Sequence, residues 1–213
     1  MAGVVTLTID GQQVETPQGS TVLEAALQAG ICIPNLCYLP GLPPTGACRL
    51  CLVEVEKNGR RKMTASCTLE AKEGMVIHAH SEDVLRARRN IIELLLAEAP
   101  ESAVLQTLAE RLEVFEVRYP ERDADCILCG RCVAACAEIS KTGAKGFIGR
   151  GDERHIGLPF YQEKYCQKCD ECNDRCPLEI SPQSRRGDPC GVCGSELSTN
   201  DEIPEICEDC ELD

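Results

Sequence analysis

Aromatic side chains are scarce. The 213 residues hold no Trp, 3 Phe and 4 Tyr, which leaves little material for one large hydrophobic core. No stretch reaches the ~18 apolar residues that suggest a membrane span. The apolar run from Ile91 to Ala97 is broken by Glu93. The opening residues, MAGVVTLTID, show neither a basic region nor an apolar segment, so no signal peptide is expected. Basic residues are outnumbered, with 22 Lys and Arg against 35 Asp and Glu, a net charge of −13. Phosphate contacts supply most nucleic-acid affinity, and basic clusters supply attraction to anionic membranes. An acidic chain without a basic patch therefore predicts no nucleic-acid partner and no membrane insertion.

Cysteine is abundant, 17 in 213 residues, a density typical of chains built around disulfides or metals. The number is odd, and nothing in the opening residues signals export to an oxidising compartment. These features favour a cytoplasmic metalloprotein over a disulfide scaffold.

The first eighty residues read as strand, strand, helix, Cys-rich loop, hairpin, strand. Val4 to Ile9 is rich in β-branched residues, Asp10-Gly11 makes a tight turn, and Gln13 to Thr16 returns. Ser20 is expected to cap a helix over Thr21–Gln28 that ends at Gly30. Leu52–Glu56 and Arg61–Thr64 flank the hairpin dipeptide Asn58-Gly59, and Met75–His80 forms the last strand. This order suits a β-grasp layout. Ser81 opens a helix to about Glu98 with Val84, Leu85, Ile91, Ile92, Leu95 and Leu96 on or near one face; Pro100 breaks it, and a second amphipathic segment covers Ser102–Leu112. This stretch holds no Cys and reads as a helical spacer.

Two runs carry the chemistry. Cys126, Cys129, Cys132 and Cys136 follow C-x2-C-x2-C-x3-C, and Cys166, Cys169, Cys172 and Cys176 repeat it. Such a run wraps three thiolates round one iron–sulfur cube while its fourth Cys, expected just inside a helix start, ligates the other cube. The expected ligand sets are Cys126, Cys129, Cys132 and Cys176 for one 4Fe–4S cluster, and Cys166, Cys169, Cys172 and Cys136 for the second. Zinc, the competing metal, prefers paired C-x2-C knuckles. Ala137 stands where the motif usually has Pro, which weakens the turn after Cys136 but removes no ligand. The glycine-rich stretch from Gly143 to Gly151 lacks the G-x-G-x-x-G order and the strand–helix context of a dinucleotide loop, so it reads as surface.

Nearer the start, Cys37, Cys48, Cys51 and Cys67 put three thiolates in one loop and a fourth at the hairpin, an arrangement suited to a 2Fe–2S rhombus. Gly46 and Ala47 are small enough to let backbone N–H groups approach sulfur. At the other end, Cys190, Cys193, Cys207 and Cys210 form two C-x2-C knuckles with zinc-ribbon spacing. Zinc is the favoured occupant there; a further iron–sulfur cluster or a metal-free dithiol is the alternative. Residues 181–213 carry 2 basic and 9 acidic side chains and few apolar ones, so a metal would supply the folding energy. Cys32, between Ile31 and Ile33, is left over and reads as a small buried hydrophobe, while His78, His80 and His155 read as polar-face or surface residues.

Residues 124–180 resemble bacterial two-cluster ferredoxins. Ile33 through Tyr38 and Gly46 through Cys51 resemble the N-terminal part of the large iron–sulfur subunit of respiratory complex I. They are equally similar to the matching subunits of NAD-linked and electron-bifurcating hydrogenases and of formate dehydrogenases. That family normally carries a His and a further Cys group after a helix ending Leu-Leu-Leu-Ala. Here Ala99 stands at the His position and no Cys follows before Cys126, so that extra cluster is expected to be missing.

The expected fold is α+β. Residues 1–80 form a 2Fe–2S β-grasp domain, 81–123 a helical linker, 124–182 a domain with two 4Fe–4S clusters, and 183–213 a four-Cys metal-binding tail. No nucleophile–base pair or open metal position suggests catalysis by this chain itself. The resemblance implies an electron-transfer subunit between a flavoprotein that oxidises NAD(P)H and a catalytic redox subunit. A free ferredoxin-like carrier and a structural zinc protein are the competing readings, and visible absorbance separates the zinc reading from the other two.

Overall fold

The computed structural model describes residues 3–122, 124–159, 166 and 169–178. Its first half is a five-stranded sheet in the order β2-β1-β5-β3-β4. The strands are β1 (Val4–Ile9), β2 (Gln12–Pro17), β3 (Leu52–Lys57), β4 (Arg60–Ala65) and β5 (Val76–His78). β1 pairs antiparallel with β2 and parallel with β5, placing the first and last strands side by side. Both hairpins turn as their dipeptides require. Asp10 and Gly11 have φ of 47° and 84°, and Asn58 and Gly59 have 51° and 69°, the two consecutive left-handed residues whose twist matches paired strands. The last strand is shorter than expected because Ala79 leaves the ladder to donate its N–H to Asp10 Oδ1 at 2.8 Å.

Helix α1 (Val22–Gln28) covers one face of the sheet. Its cap is Thr21, not Ser20: Thr21 Oγ1 accepts from the Glu24 N–H, and the Glu24 carboxylate accepts from the Thr21 N–H at 2.7 Å. Ser20 instead lends its carbonyl to the Ala71 N–H. Val22, Leu23, Ala25 and Ala26 pack on Leu7, Ile9, Val53 and Ile77, the inward-facing positions of alternating strands.

Helices α2 (Glu82–Glu98) and α3 (Ala103–Arg111) are capped by Ser81 and Ser102. They do more than space the ends of the chain. Ile92, Leu96 and Ala99 join Val104, Leu105, Leu108 and Leu112 in a second core that also takes in Leu36, Cys37 and Cys48 from one side and Cys129 and Leu178 from the other. Ala99, where the family pattern places a histidine, is 2% exposed inside this hydrocarbon. The segment after α3 returns along α2, held where the Glu93 carboxylate accepts from both the backbone N–H and the guanidinium of Arg118.

Beyond it lie α4 (Arg131–Glu138), a two-stranded hairpin of β6 (Gly146–Ile148) and β7 (His155–Gly157), and the single turn α5 (Glu171–Asp174). Among the described residues no helix is long and apolar enough to cross a membrane. Cys190, Cys193, Cys207 and Cys210, with the tail module proposed for them, lie outside the described residues.

Candidate metal centres

The loop after α1 brings Cys37, Cys48 and Cys51 together, and the turn after β4 returns Cys67 to them. All four are between 0 and 5% exposed. Their sulfurs are linked in a chain of hydrogen bonds, Cys37 with Cys48 and Cys67, and Cys67 with Cys51. Hydrogen bonds with Cys48 and Cys67 hold the Cys37 thiol far below its ordinary value, at about 2. Its partners Cys48 and Cys67 are pushed up by those same bonds to Cys37 and by burial. The Cys51 thiol falls to about 7 through its bond with Cys67. Metal binding needs thiolates, and this grouping already lowers two of the four.

The backbone also serves these sulfurs, though not from Gly46 and Ala47 as the small side chains suggested. The Leu36 N–H donates to Cys48 Sγ at 3.4 Å, Leu50 donates to the same sulfur and Cys48 to Cys37. Gly46 has another reason to be glycine: its φ is +63°, and a Cβ there would sit 3.3 Å from Thr68.

Arg88 lies beneath this loop. It is 0% exposed on α2 and donates through Nε to the Leu50 carbonyl at 3.0 Å and through Nη2 to that of Leu52 at 2.9 Å. Burial lowers its guanidinium to about 10, with the negative charges of Cys51 and Asp10 acting the other way. Its Nη1 is buried without a partner. The sequence held a sign of this: Val84, Arg88, Ile92 and Leu96 repeat every fourth residue along α2, so the apolar stripe contains a charge.

In the second half, the chain enters α4 through Gly130, at φ +81°. The first Cys run is therefore split. Cys132 lies just inside the helix start, whereas Cys136 lies in its last turn, not at the start as expected; the two are one turn apart on the same face. Ala137 simply continues the helix. Burial raises the Cys126, Cys129 and Cys132 thiols, the second to about 12, and each also feels the negative charge of Cys176. The fourth cysteine of the second run thus stands among the first three of the first run. Conversely, Cys136 and Cys172 share a partner: Lys145 donates its backbone N–H to Cys136 Sγ at 3.3 Å and its ammonium to Cys172 Sγ at 3.1 Å. Cys166 is half-buried and Cys169 exposed, each described without a bond to the other six.

Lys145 carries no sign in the sequence, where its stretch fails as a nucleotide loop and reads as surface. Arg131, between Cys129 and Cys132 in the sequence, carries none either. Its Nη1 lies 3.5 Å from the Leu36 carbonyl, while its charge faces Cys129, Cys176 and Cys37, so it spans the two groups of thiols. The three histidines are not grouped with cysteine: His78 meets Glu56, His80 meets Asp10 and His155 the Glu153 carbonyl. Cys32 is half-buried against the second core, less enclosed than its reading as a small buried hydrophobe expects.

Among the described residues, no three His, Cys, Asp or Glu side chains converge closely enough to hold a single metal ion. What fits a cluster here is the shared burial, proximity and hydrogen bonding of the thiols.

Residues 2–82 match a 2Fe–2S iron–sulfur cluster binding domain, and residues 125–180 match a 4Fe–4S dicluster domain. The chain is thus an iron–sulfur protein of mixed α/β architecture. It is 30% identical to a chain in the crystal structure of an NAD+-reducing NiFe hydrogenase in the H2-reduced state. The match covers 94% of this chain and 90% of that one, with a TM-score of 0.64, and this chain belongs to the family of that hydrogenase chain. It is also 35% identical to the NADP-reducing hydrogenase subunit HndD of Solidesulfovibrio fructosivorans, over 82% of this chain and 35% of that protein. It is 34% identical to the NADPH-Fe(3+) oxidoreductase subunit alpha of Geobacter sulfurreducens, over 87% and 25%. With the mitochondrial NADH-ubiquinone oxidoreductase 78 kDa subunit of Candida albicans it shares 31% identity, over 82% and 28%. The chain spans about a quarter to a third of the length of these curated relatives.

Proposed function

We propose that the chain relays single electrons within a multisubunit NAD(P)-linked oxidoreductase. Its partners in this reading are a flavoprotein that oxidises NAD(P)H and a catalytic redox subunit of hydrogenase or formate dehydrogenase type, all in the cytoplasm. The observation that carries it is the shared core. Cys37 and Cys48 of the first group and Cys129 of the second lie in one cluster of buried residues, with Cys176 packed against it. Thiols packed into one dry core would hold their clusters close together and away from water.

Saturated four-thiolate clusters supply one-electron chemistry and offer no open coordination position for a substrate. The ligand sets proposed are Cys37, Cys48, Cys51 and Cys67 for one 2Fe–2S cluster; Cys126, Cys129, Cys132 and Cys176 for one cube; and Cys136, Cys166, Cys169 and Cys172 for the other. The chain's own part is to bury the sulfurs, donate N–H groups to them and set positive charge beside them. Residues 190–210 would hold one zinc through Cys190, Cys193, Cys207 and Cys210, shaping an acidic docking surface for a Lys- or Arg-rich partner face.

Anaerobically purified protein should hold about 10 Fe and one Zn per chain. About 4 Fe would overturn the two-cube reading, since the dicluster region alone accounts for about 8. Absence of Zn, with free thiols fewer than the sequence provides, would overturn the tail reading. By EPR, Cys176→Ser should damage the cube of the first run and Cys136→Ser that of the second. The opposite pattern would refute crossed ligation.

A further inference from the structure

The stretch between the two Cys runs has no role in the ligand count, yet it leads to the sulfurs. Thr142 Oγ1 lies 3.2 Å from Cys136 Sγ. Three residues on, the Lys145 N–H meets the same sulfur at 3.3 Å, and its ammonium reaches Cys172 at 3.1 Å. One residue thus touches one thiol from each run.

Its backbone is held on both sides. Ala144 is 0% exposed, and β6 begins at Gly146 and pairs with β7. On β6, Phe147 carries the Arg154 guanidinium 4.1 Å from its ring centre. The same ring lies so near Gly130 that a Cβ there would come within 3.2 Å of it. The hairpin is therefore seated on the entry to α4, and Lys145 at its base is aimed between the runs.

We propose that Lys145 sets the redox potential of the second cube, making it the more easily reduced of the pair. This rests on the ligand sets proposed above, in which Cys136 and Cys172 serve the same cluster. Reduction adds one negative charge to a cluster already held by four thiolates. An ammonium hydrogen-bonded to one of those sulfurs, and an N–H to another, favour the more negative state and raise the potential. Among the described residues the first cube has no charged side chain hydrogen-bonded to its sulfurs. Its bonds come from backbone N–H groups, Leu128 to Cys126 at 3.4 Å and Arg131 to Cys129, while the buried Arg131 guanidinium faces Cys129 and Cys176 without a bond to either. The Lys145 charge also reaches Cys126 and Cys132 of the first cube, and on Cys132 it is the largest influence after burial, but Lys145 is hydrogen-bonded to neither. The second cube would then be the resting place of the electron within the dicluster region.

The test is an EPR-monitored redox titration of the full, iron-loaded chain, with dithionite as one-electron reductant and mediators present. Lys145→Met should shift one cube to more negative potential and bring its reduction level with or behind that of the other. The shifted cube should be the one damaged by Cys136→Ser. Lys145→Arg should restore much of the potential, and Lys145→Gln, which keeps an N–H donor without charge, should fall between. The potential of the 2Fe–2S cluster should not move. An unchanged potential at full iron content, or an equal shift of both cubes, would overturn the inference. So would a loss of about 4 Fe in both the Met and Gln variants, which would make Lys145 a holder of the cluster rather than its tuner. If Cys136→Ser and Cys172→Ser disturb different cubes, the ligand sets are wrong and the inference falls with them. If they disturb the same cube and Lys145→Met leaves its potential unchanged, only the inference about Lys145 is wrong.

Discussion

The two thiol-bearing regions are built on opposite principles. In the first, four cysteines are 0 to 5% exposed and rest on a sheet and helix whose core holds Leu7, Ile9, Val22, Leu23, Val53 and Ile77. Among the described residues of 124–178 the buried apolar side chains are few: Cys129, Ala135, Ala144, Pro177 and Leu178. The first region folds on hydrocarbon and its sulfurs are guests in a finished core. The second has too little hydrocarbon to offset the entropy of ordering its loops, so the metal itself must serve as its core.

Iron removal should expose this difference most sharply. After anaerobic chelation, trypsin should cut at Arg131, Lys141, Lys145 and Arg150 at least about a hundredfold faster, because structural metal binding contributes on the order of 10 kcal/mol to folding. Residues 3–122 should survive as a resistant fragment with its β-sheet signal intact. Limited proteolysis read by mass spectrometry decides it. Equal loss of both halves would mean that the second core, which Cys129 and Leu178 join, ties them into one cooperative unit.

Arg88 tests the first region from within. Removing it strands the buried carbonyl of Leu50, at about 1–3 kcal/mol for an unsatisfied buried group, and takes a donor from the half-buried carbonyl of Leu52. Arg88→Met should therefore lower the thermal unfolding midpoint clearly, whereas Arg60→Met on exposed β4 should stay within about 0.5 kcal/mol of the parent. The same variant takes a positive charge from beneath Cys51, so the 2Fe–2S potential should fall while both cubes hold theirs.

The sequence was most legible where local chemistry decides the structure. Asp10-Gly11 and Asn58-Gly59 fixed both hairpins, and the β-grasp order followed from them. Cys spacing was equally readable, because a cluster restricts how far apart its ligands can lie along the chain. Legibility failed where a tertiary contact chose between neighbours of equal propensity. Ser20 and Thr21 are both good caps, and only the reciprocal bond with Glu24 selects Thr21. Lys145 carries no local sign at all. Its role depends on a hairpin seated on Gly130, and no periodicity encodes that contact.

The smallest effect concerns the segment 113–122, which the protein rather than iron should hold in place. Hydrogen bonds from Arg118, stronger here than the opposing cost of burial, keep the Glu93 carboxyl below its usual range. A carboxyl lowered on folding stabilises the native state fully above its unfolded pKa and loses that contribution as pH falls through the folded value. Because the Arg118 N–H itself donates to Glu93, its amide exchange reports the contact directly, at 2.6 Å. After correction for intrinsic rates, a peptide containing Arg118 should be protected near neutral pH and lose protection only below the ordinary carboxylate range. Glu93→Gln should exchange faster at neutral pH and show little of that acid dependence. Iron removal at neutral pH should leave the protection standing. If chelation alone releases this peptide, the helical wall depends on the clusters, and the boundary between the hydrocarbon-held and metal-held regions must move from residue 124 back into α3.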